Sequence, residues 1–296
     1  MTPKFKAYVQ LHMATVLYGL TAILGDLISL SALNLVWWRV LLTSISLLVF
    51  VRFGRSILEM DKKDIISFIG IGFVVALHWL TFYGAIKYAN ASVALAAFAL
   101  TSLFTSIVEP FITGKPFEKS ELLLGILVVP AMLLIANNLD VTLIKGLLVG
   151  IFSALLAAIF AALNKRMVDK ASSYQITFLE MSSAFLFLSL FVPFMVSPES
   201  PLMPTQMDWV YLIILALFCT TFAFIISLKA LETVSAFEAN LVINLEPVYG
   251  ITLAAIILND YKEVGTSFYF GISLILLIVL SYPFIKKKRL QREEVV

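Results

Sequence analysis

Apolar residues run through this chain in long blocks separated by short polar joints. The blocks lie near 7–28, 32–52, 65–86, 91–112, 121–138, 145–164, 174–195, 208–229, 235–258 and 266–285. Each is close to the roughly 20 residues that a helix rising 1.5 Å per residue needs to cross about 30 Å of hydrocarbon. Within a block the apolar run is continuous, whereas the strands of a membrane barrel alternate over about ten residues. Helices satisfy their own backbone in lipid. The pattern therefore predicts an all-α integral membrane protein of ten transmembrane helices, with no joint long enough for a soluble domain.

Composition strengthens this reading. The chain is 61% hydrophobic and only 14% charged, with a mean hydropathy of +1.00, far from the profile of a soluble domain. A net charge of +2 implies no nucleic-acid partner. The distribution of charge is more telling than its sum. With both termini in the cytoplasm, Lys4, Lys6, Arg52, Arg55, Lys62, Lys63, Lys115, Lys119, Lys165, Arg166, Lys170, Lys229 and the tail from Lys286 to Arg292 fall inside, and only Lys87, Lys145 and Lys262 fall outside. That bias obeys the positive-inside rule and requires an even number of spans. The first block is too long, and lacks the cleavage pattern, to be read as a signal peptide. Cys219 is the only cysteine, so no intramolecular disulfide forms.

Shifting the chain by 145 residues lays "GAIKYANASVALAAFALTSLFTSI", from Gly84, on "KALETVSAFEANLVINLEPVYGIT", from Lys229. A shift of 141 lays "LVWWRVLL" on "QITFLEMS", with Arg39 opposite Glu180. Five spans per half is an odd number, so the second half is expected upside down relative to the first, as in many transporters. The halves divide the chain into 1–140 and 141–296. Gly146, Gly150, Ala154, Ala158 and Ala162 form a stripe at every fourth position, suited to close helix approach. Such stripes also permit a homodimer.

Ionisable groups at membrane depth are costly, and each marks a site or a structural pairing. Counting along the spans, Arg39 and His78 lie about 10 Å below the outer boundary, and Glu246 about 15 Å from either side. These three are expected to converge if their faces point inward. His12, Glu109, Glu180 and Glu238 fall within about 10 Å of the inner boundary, where Glu109 and Glu180 are candidates for gating or proton coupling. Pro247 follows Glu246 directly and frees the carbonyl of Ile243. The helix is expected to kink there against a cavity that hydrates the carboxyl group. Trp79 and Tyr83 share a helical face beside His78 and are candidate cavity walls. A metal site has no support, because neither histidine has a second ligand at helical spacing.

"AIKYANASVALAAFALTSLFTSI", "ALETVSAFEANLVINLEPVYGITLAAIIL" and "WWRVLL" together resemble the EamA-type, ten-helix members of the drug/metabolite transporter superfamily. The resemblance spans essentially the whole chain as two repeats. It implies two inverted five-helix repeats around a central cavity, with the fifth and tenth helices peripheral. It also implies transport of small organic metabolites across a bacterial inner membrane, frequently export of amino acids. Ser102 stands where the first repeat often carries a proline, so the two halves are expected to bend unequally.

The expected function is alternating-access export of a small zwitterionic or amphipathic metabolite, amino acids foremost, without a cofactor. Arg39, His78, Trp79, Tyr83, Ser102, Asn244, Glu246 and Tyr249 are the candidate substrate contacts, and Glu246, Pro247, Glu180 and Glu109 the candidate gating or proton-coupling set. Protons, membrane lipids and a small-molecule substrate are the expected partners. The alternatives are import or exchange of a vitamin, nucleoside or sugar derivative, and a receptor without flux. An intramembrane enzyme is disfavoured because the chain has no H-E-x-x-H motif or other convincing catalytic set.

Overall fold

The computed structural model describes residues 2–53, 57–135, 143–191, 193 and 202–250, and then 253, 267, 270, 271, 273–278, 280–282 and 285. Within them the chain forms helices α1 (Pro3–Leu27), α2 (Ala32–Phe53), α3 (Lys62–Tyr88), α4 (Ala91–Phe98), α5 (Thr101–Thr113), α6 (Lys119–Ile135), α7 (Ile144–Met167), α8 (Ser173–Ser189), α9 (Gln206–Ala216), α10 (Ala223–Leu231) and α11 (Ala236–Ile243). A π-helical turn, Leu217–Phe222, joins α9 to α10, and a further helical segment restarts at 246–250. Five stretches among the described residues are long and apolar enough to cross a membrane: Pro3–Leu27, Lys62–Tyr88, Val93–Thr113, Ile144–Lys170 and Gln206–Leu231. The far part of the ninth expected span, much of the tenth, Lys262 and the basic tail lie outside the described residues.

Polarity is distributed as lipid requires. Large apolar side chains such as Phe111, Leu190, Leu186 and Ile66 are exposed, while Arg39, His78, Glu109, Glu180 and Glu246 are buried. In the interior α3 packs on α7, α2 on α8, and α1 on α10. The small-residue stripe of α7 makes this possible. A Cβ at Gly146 would meet Ala89 and the Ala85 carbonyl, and one at Gly150 would meet Ala97. Without a hydrophobic drive between helices in lipid, such backbone proximity is what gains dispersion energy.

The repeat is legible in the helix caps. Asn90 caps α4 through the amide of Val93, and Ser235, 145 positions on, caps α11 through Glu238. The Ser31 hydroxyl accepts from the Asn34 amide in α2, and Ser172, 141 positions on, accepts from Gln175 in α8. Each side-chain oxygen satisfies a first-turn amide that has no partner within its helix.

Both halves also break at the same place. In the first, Ala99 N–H donates to Leu95, Leu100 to Ala97 and Phe104 to Leu100; in the second, Asn244 donates to Asn240, Leu245 to Val242 and Tyr249 to Leu245. Every position is offset by 145. The first half thus breaks at the position equivalent to the second although Ser102 stands there in place of the proline. Pro247 removes a donor from the second half, whereas in the first half the Thr101 hydroxyl captures the Phe98 carbonyl at 2.6 Å. The two broken helices face one another. Asn240 Nδ2 donates to Thr105 Oγ1 and Asn244 Nδ2 to Ser102 Oγ, both at 2.7 Å.

Gly19 of α1 closes against this junction. A Cβ there would lie 2.7 Å from the Gly250 nitrogen and 3.2 Å from the Glu246 carbonyl oxygen. Gly19→Ala should therefore cost about 1–3 kcal/mol, read as a lower unfolding temperature in detergent; an unchanged temperature would mean that the backbones do not touch. Ser102 is the second residue of α5, so its N–H is one of the four that no helix satisfies. Ser102→Pro should cost about 1–3 kcal/mol, because the buried Asn244 amide loses its acceptor, without the further ~3 kcal/mol of a proline in a helix interior. A loss of the full interior penalty would show that the break depends on serine.

Candidate functional site

A cavity with about 90 Å³ open to the centres of water-sized molecules lies between the two halves. Arg39, His78, Trp79 and Glu246 line it, so the structure brings together the three ionisable groups counted to mid-depth and one of the two proposed aromatic walls. Phe82, Phe98, Phe160 and Phe224 complete an aromatic lining, with Tyr18, Thr21, Ser227, Asn164 and Asn240 as its neutral polar groups.

Arg39 is held rather than paired. Its Nε donates to Thr220 Oγ1 at 2.7 Å, Nη1 to Tyr83 Oη at 2.9 Å, and Nη2 to the Cys219 carbonyl at a marginal 3.5 Å. The guanidinium lies 3.7 Å above the centre of the Trp79 ring, a favourable cation–π geometry in a desolvated site. The π turn supplies the anchor. Thr220 and Thr221 hydroxyls donate to the carbonyls five residues back, Leu215 and Ala216. The widened turn brings the Thr220 hydroxyl and the Cys219 carbonyl to the guanidinium, a common use of π turns at functional sites. Of the five guanidinium N–H groups, those not spent on these three contacts remain for a ligand.

Glu246 opens the restarted helix 246–250. A carboxylate there benefits from the positive end of the helix dipole, and broken-helix termini of this kind are used by transporters to meet charged ligands. Among the described residues the ion pairs are Lys4–Glu238, Lys115–Glu109 and Lys115–Glu121. Arg39 and Glu246 thus face one cavity without joining each other. Lys87 is occupied at the Ile28 carbonyl.

His78 is oriented from behind. Its Nδ1 lies 3.0 Å from the Ser153 carbonyl and 2.9 Å from Ser153 Oγ, while that hydroxyl donates to the His78 carbonyl. The carbonyl only accepts and the hydroxyl proton is already used, so Nδ1 carries the hydrogen and Nε2 keeps the lone pair. The ring stacks on Phe98 at 5.5 Å.

The remaining candidate residues stand outside the lining. Tyr83 sits behind Arg39, Ser102 and Asn244 join the two broken helices, and Tyr249 meets His12 Nδ1 at 2.8 Å. Pro247 is buried at the break. Glu109 accepts from the amides of Ala236 and Phe237 at 2.8 and 2.9 Å, capping α11 from the other half of the chain. Glu180 lies behind Asn164. Sequence reasoning did not single out Asn164, Asn240, Phe160, Phe224 or Ser227, which lie on α7, α10 and α11; only the crossing of these helices reveals their common face.

Thr220→Val preserves shape but removes both the acceptor for Arg39 and the donor to Leu215. It should cost about 1–3 kcal/mol, because a charged donor is left buried without its partner. Thermal unfolding of the purified protein tests this, and an unaltered midpoint would show that Thr220 does not hold the guanidinium.

Comparison with known proteins agrees with this architecture. The EamA-like transporter family model matches residues 5–137 and again 144–283. An uncharacterized transporter of Bacillus subtilis (strain 168), YetK, is 25% identical over 271 residues, covering 87% of this chain and 81% of its own. A protein crystal structure superposes with a TM-score of 0.72 at 14% identity, over 96% of this chain and 98% of the other, a likeness of fold alone. With two family matches covering nearly the entire sequence, the chain belongs to the EamA-like transporter family of the drug/metabolite transporter superfamily.

Proposed function

We propose that this multi-pass transporter exports small amphipathic zwitterions, amino acids with apolar side chains foremost, by alternating access between two inverted five-helix repeats. The observation that carries the substrate class is one cavity in which Arg39 and Glu246 are both buried, both lining, and more than an ion-pair distance apart. The remaining N–H groups of Arg39 suit a carboxylate. The Glu246 carboxylate, beside the Ile243 carbonyl that Pro247 cannot satisfy, suits an ammonium. Trp79, Phe82, Phe98, Phe160 and Phe224 suit an apolar side chain.

Cavity placement supports the direction. Its lining includes Leu231, the last residue of α10, and Asn164, three residues before the end of α7. At the opposite end Thr21, Arg39 and Phe82 each stop six or seven residues short of their helix termini, leaving about 10 Å of packed helix above them. That thicker end is tied by Asp208, which accepts from the Ser29 amide and hydroxyl at 2.8 and 2.6 Å. With both termini cytoplasmic, as the charge bias favours, the cavity leans toward the cytoplasm of a bacterial inner membrane, where an exporter loads.

Proteoliposomes preloaded with phenylalanine should show saturable counterflow of labelled phenylalanine. Absence of counterflow by folded, reconstituted protein would remove amino acids from the reading. Arg39→Lys keeps the charge but loses the planar fork, so the KM for phenylalanine should rise about tenfold, equivalent to ~1.4 kcal/mol. An equal loss for an aromatic amine without a carboxylate would instead point to damage of the wall.

A further inference from the structure

Arg39 and Glu180 occupy matching places in the repeat. Arg39 is seven residues into α2 and Glu180 seven residues into α8, so opposite charges stand at equal depth, about 10 Å, from their helix starts. Arg39 is held by Thr220, Tyr83 and the Trp79 ring. Glu180 is not so held. It is wholly buried, and its Oε2 has only the long 3.5 Å approach of Asn164 Nδ2. Its Oε1 and the Asn164 Oδ1 are both buried without a hydrogen-bond partner. Two unsatisfied acceptors in one pair are expensive in an apolar interior.

One proton addresses both atoms. An O–H on Oε1 is a donor for the Asn164 amide oxygen while the amide N–H keeps its approach to Oε2, the paired arrangement open to a carboxylic acid and a primary amide, and a bare charge is avoided. A multivalent ion does not fit, because among the described residues no group of three metal-ligating side chains assembles. Among the described side chains no neighbouring charge substitutes for the proton; that of Arg52, on α2, lies outside them. On α2, Arg39 is bound to Thr220 and Tyr83. On α3, His78 is bound to Ser153, and Lys62, Lys63 and Asp64 sit in the first turn at its accessible end. On α7, Lys165 donates to the Leu231 carbonyl and Arg166 is exposed. On α10, Lys229 lies over the Tyr174 ring.

We propose that Glu180 and Asn164 form a proton-binding site in the cavity wall, and that its proton leaves when the cavity opens at that end. Asn164 itself lines the cavity, so it is the only side chain the proposal needs between Glu180 and cavity water. The sign follows from linkage: the packed arrangement binds one more proton than a hydrated one, so lowering pH favours it and raising pH favours opening. The proposal extends the transport reading, yet the proton site can be measured without any substrate.

Infrared difference spectra of the purified full-length protein, taken between acidic and alkaline buffer, should contain a protonated-carboxyl carbonyl band that disappears on alkalinisation. Glu180→Gln, which preserves shape and can donate to Asn164, should delete that component; Asn164→Leu should shift it, and Glu246→Gln should retain it. A band unaffected by Glu180→Gln would overturn the assignment. A Glu180 band that never responds to pH would do the same, because it would describe a fixed structural acid. In vesicles, Glu180→Gln mimics the protonated, packed form, so phenylalanine counterflow should become slower and lose its pH dependence, and accumulation driven by an imposed pH gradient should fall at least tenfold. Retained gradient-driven accumulation would sever the proton from opening. If wild-type protein shows no phenylalanine counterflow, the substrate reading fails while the infrared result still decides the site.

Discussion

A helix interrupted inside hydrocarbon leaves amide and carbonyl groups that only other protein groups can satisfy, and this chain interrupts two helices at the same level. Setting the breaks against one another resolves the difficulty. Asn240 and Asn244 reach across to Thr105 and Ser102, while Thr101 serves its own severed strand of hydrogen bonds. The remaining architecture depends on this crossing. It starts a new helix at Glu246 and draws α1 in through the Gly19–Gly250 approach. It also leaves at the centre of the interior an aromatic-lined opening into which Arg39, His78 and Glu246 reach.

Around that opening the two halves share a plan but differ in chemistry. Equivalent positions carry a guanidinium in one half and a carboxyl group in the other, and the first is rigidly supported while the second is under-supported. Buried polar groups held by complete networks specify a single geometry, whereas incomplete ones have somewhere else to go. The repeat thus sets two unlike buried groups, Arg39 and Glu180, at matching places of one layout. Its ends differ as well. Glu109 and Glu238 tie α5 and α1 to α11 at the end the cavity approaches, and Asp208 ties the α1–α2 joint to α9 at the other.

Much of this was readable from residues alone, for physical reasons. Continuous apolar blocks leave little choice but helices, and serine or asparagine before a block marks its cap. The depth of Arg39, His78 and Glu246 followed from counting residues along each block. The first-half break did not, because its agent is the threonine hydroxyl of Thr101 and not a proline, and threonine is common in membrane helices without breaking them. Ser102, Asn244 and Tyr249 illustrate a second limit. Polarity flagged them as cavity residues, yet in a lipid-embedded interior polar groups also satisfy one another, and these three join helices. Asn164 carried no signal because its partner, Glu180, lies on the next helix.

The π turn in "LFCTTF" has an effect on phase that reaches beyond Arg39. It holds one more residue than an α-helical turn would, so everything after it is rotated by about 100° relative to an uninterrupted helix. Phe224, Ser227, Leu228 and Leu231 therefore owe their place on the cavity to a single added residue upstream. The span can exchange side chains freely at its lipid face, but it cannot change length by one residue between Leu217 and Phe222 without turning a different stripe of α10 inward. For this segment the count of residues is as much a constraint as the identity of Thr220.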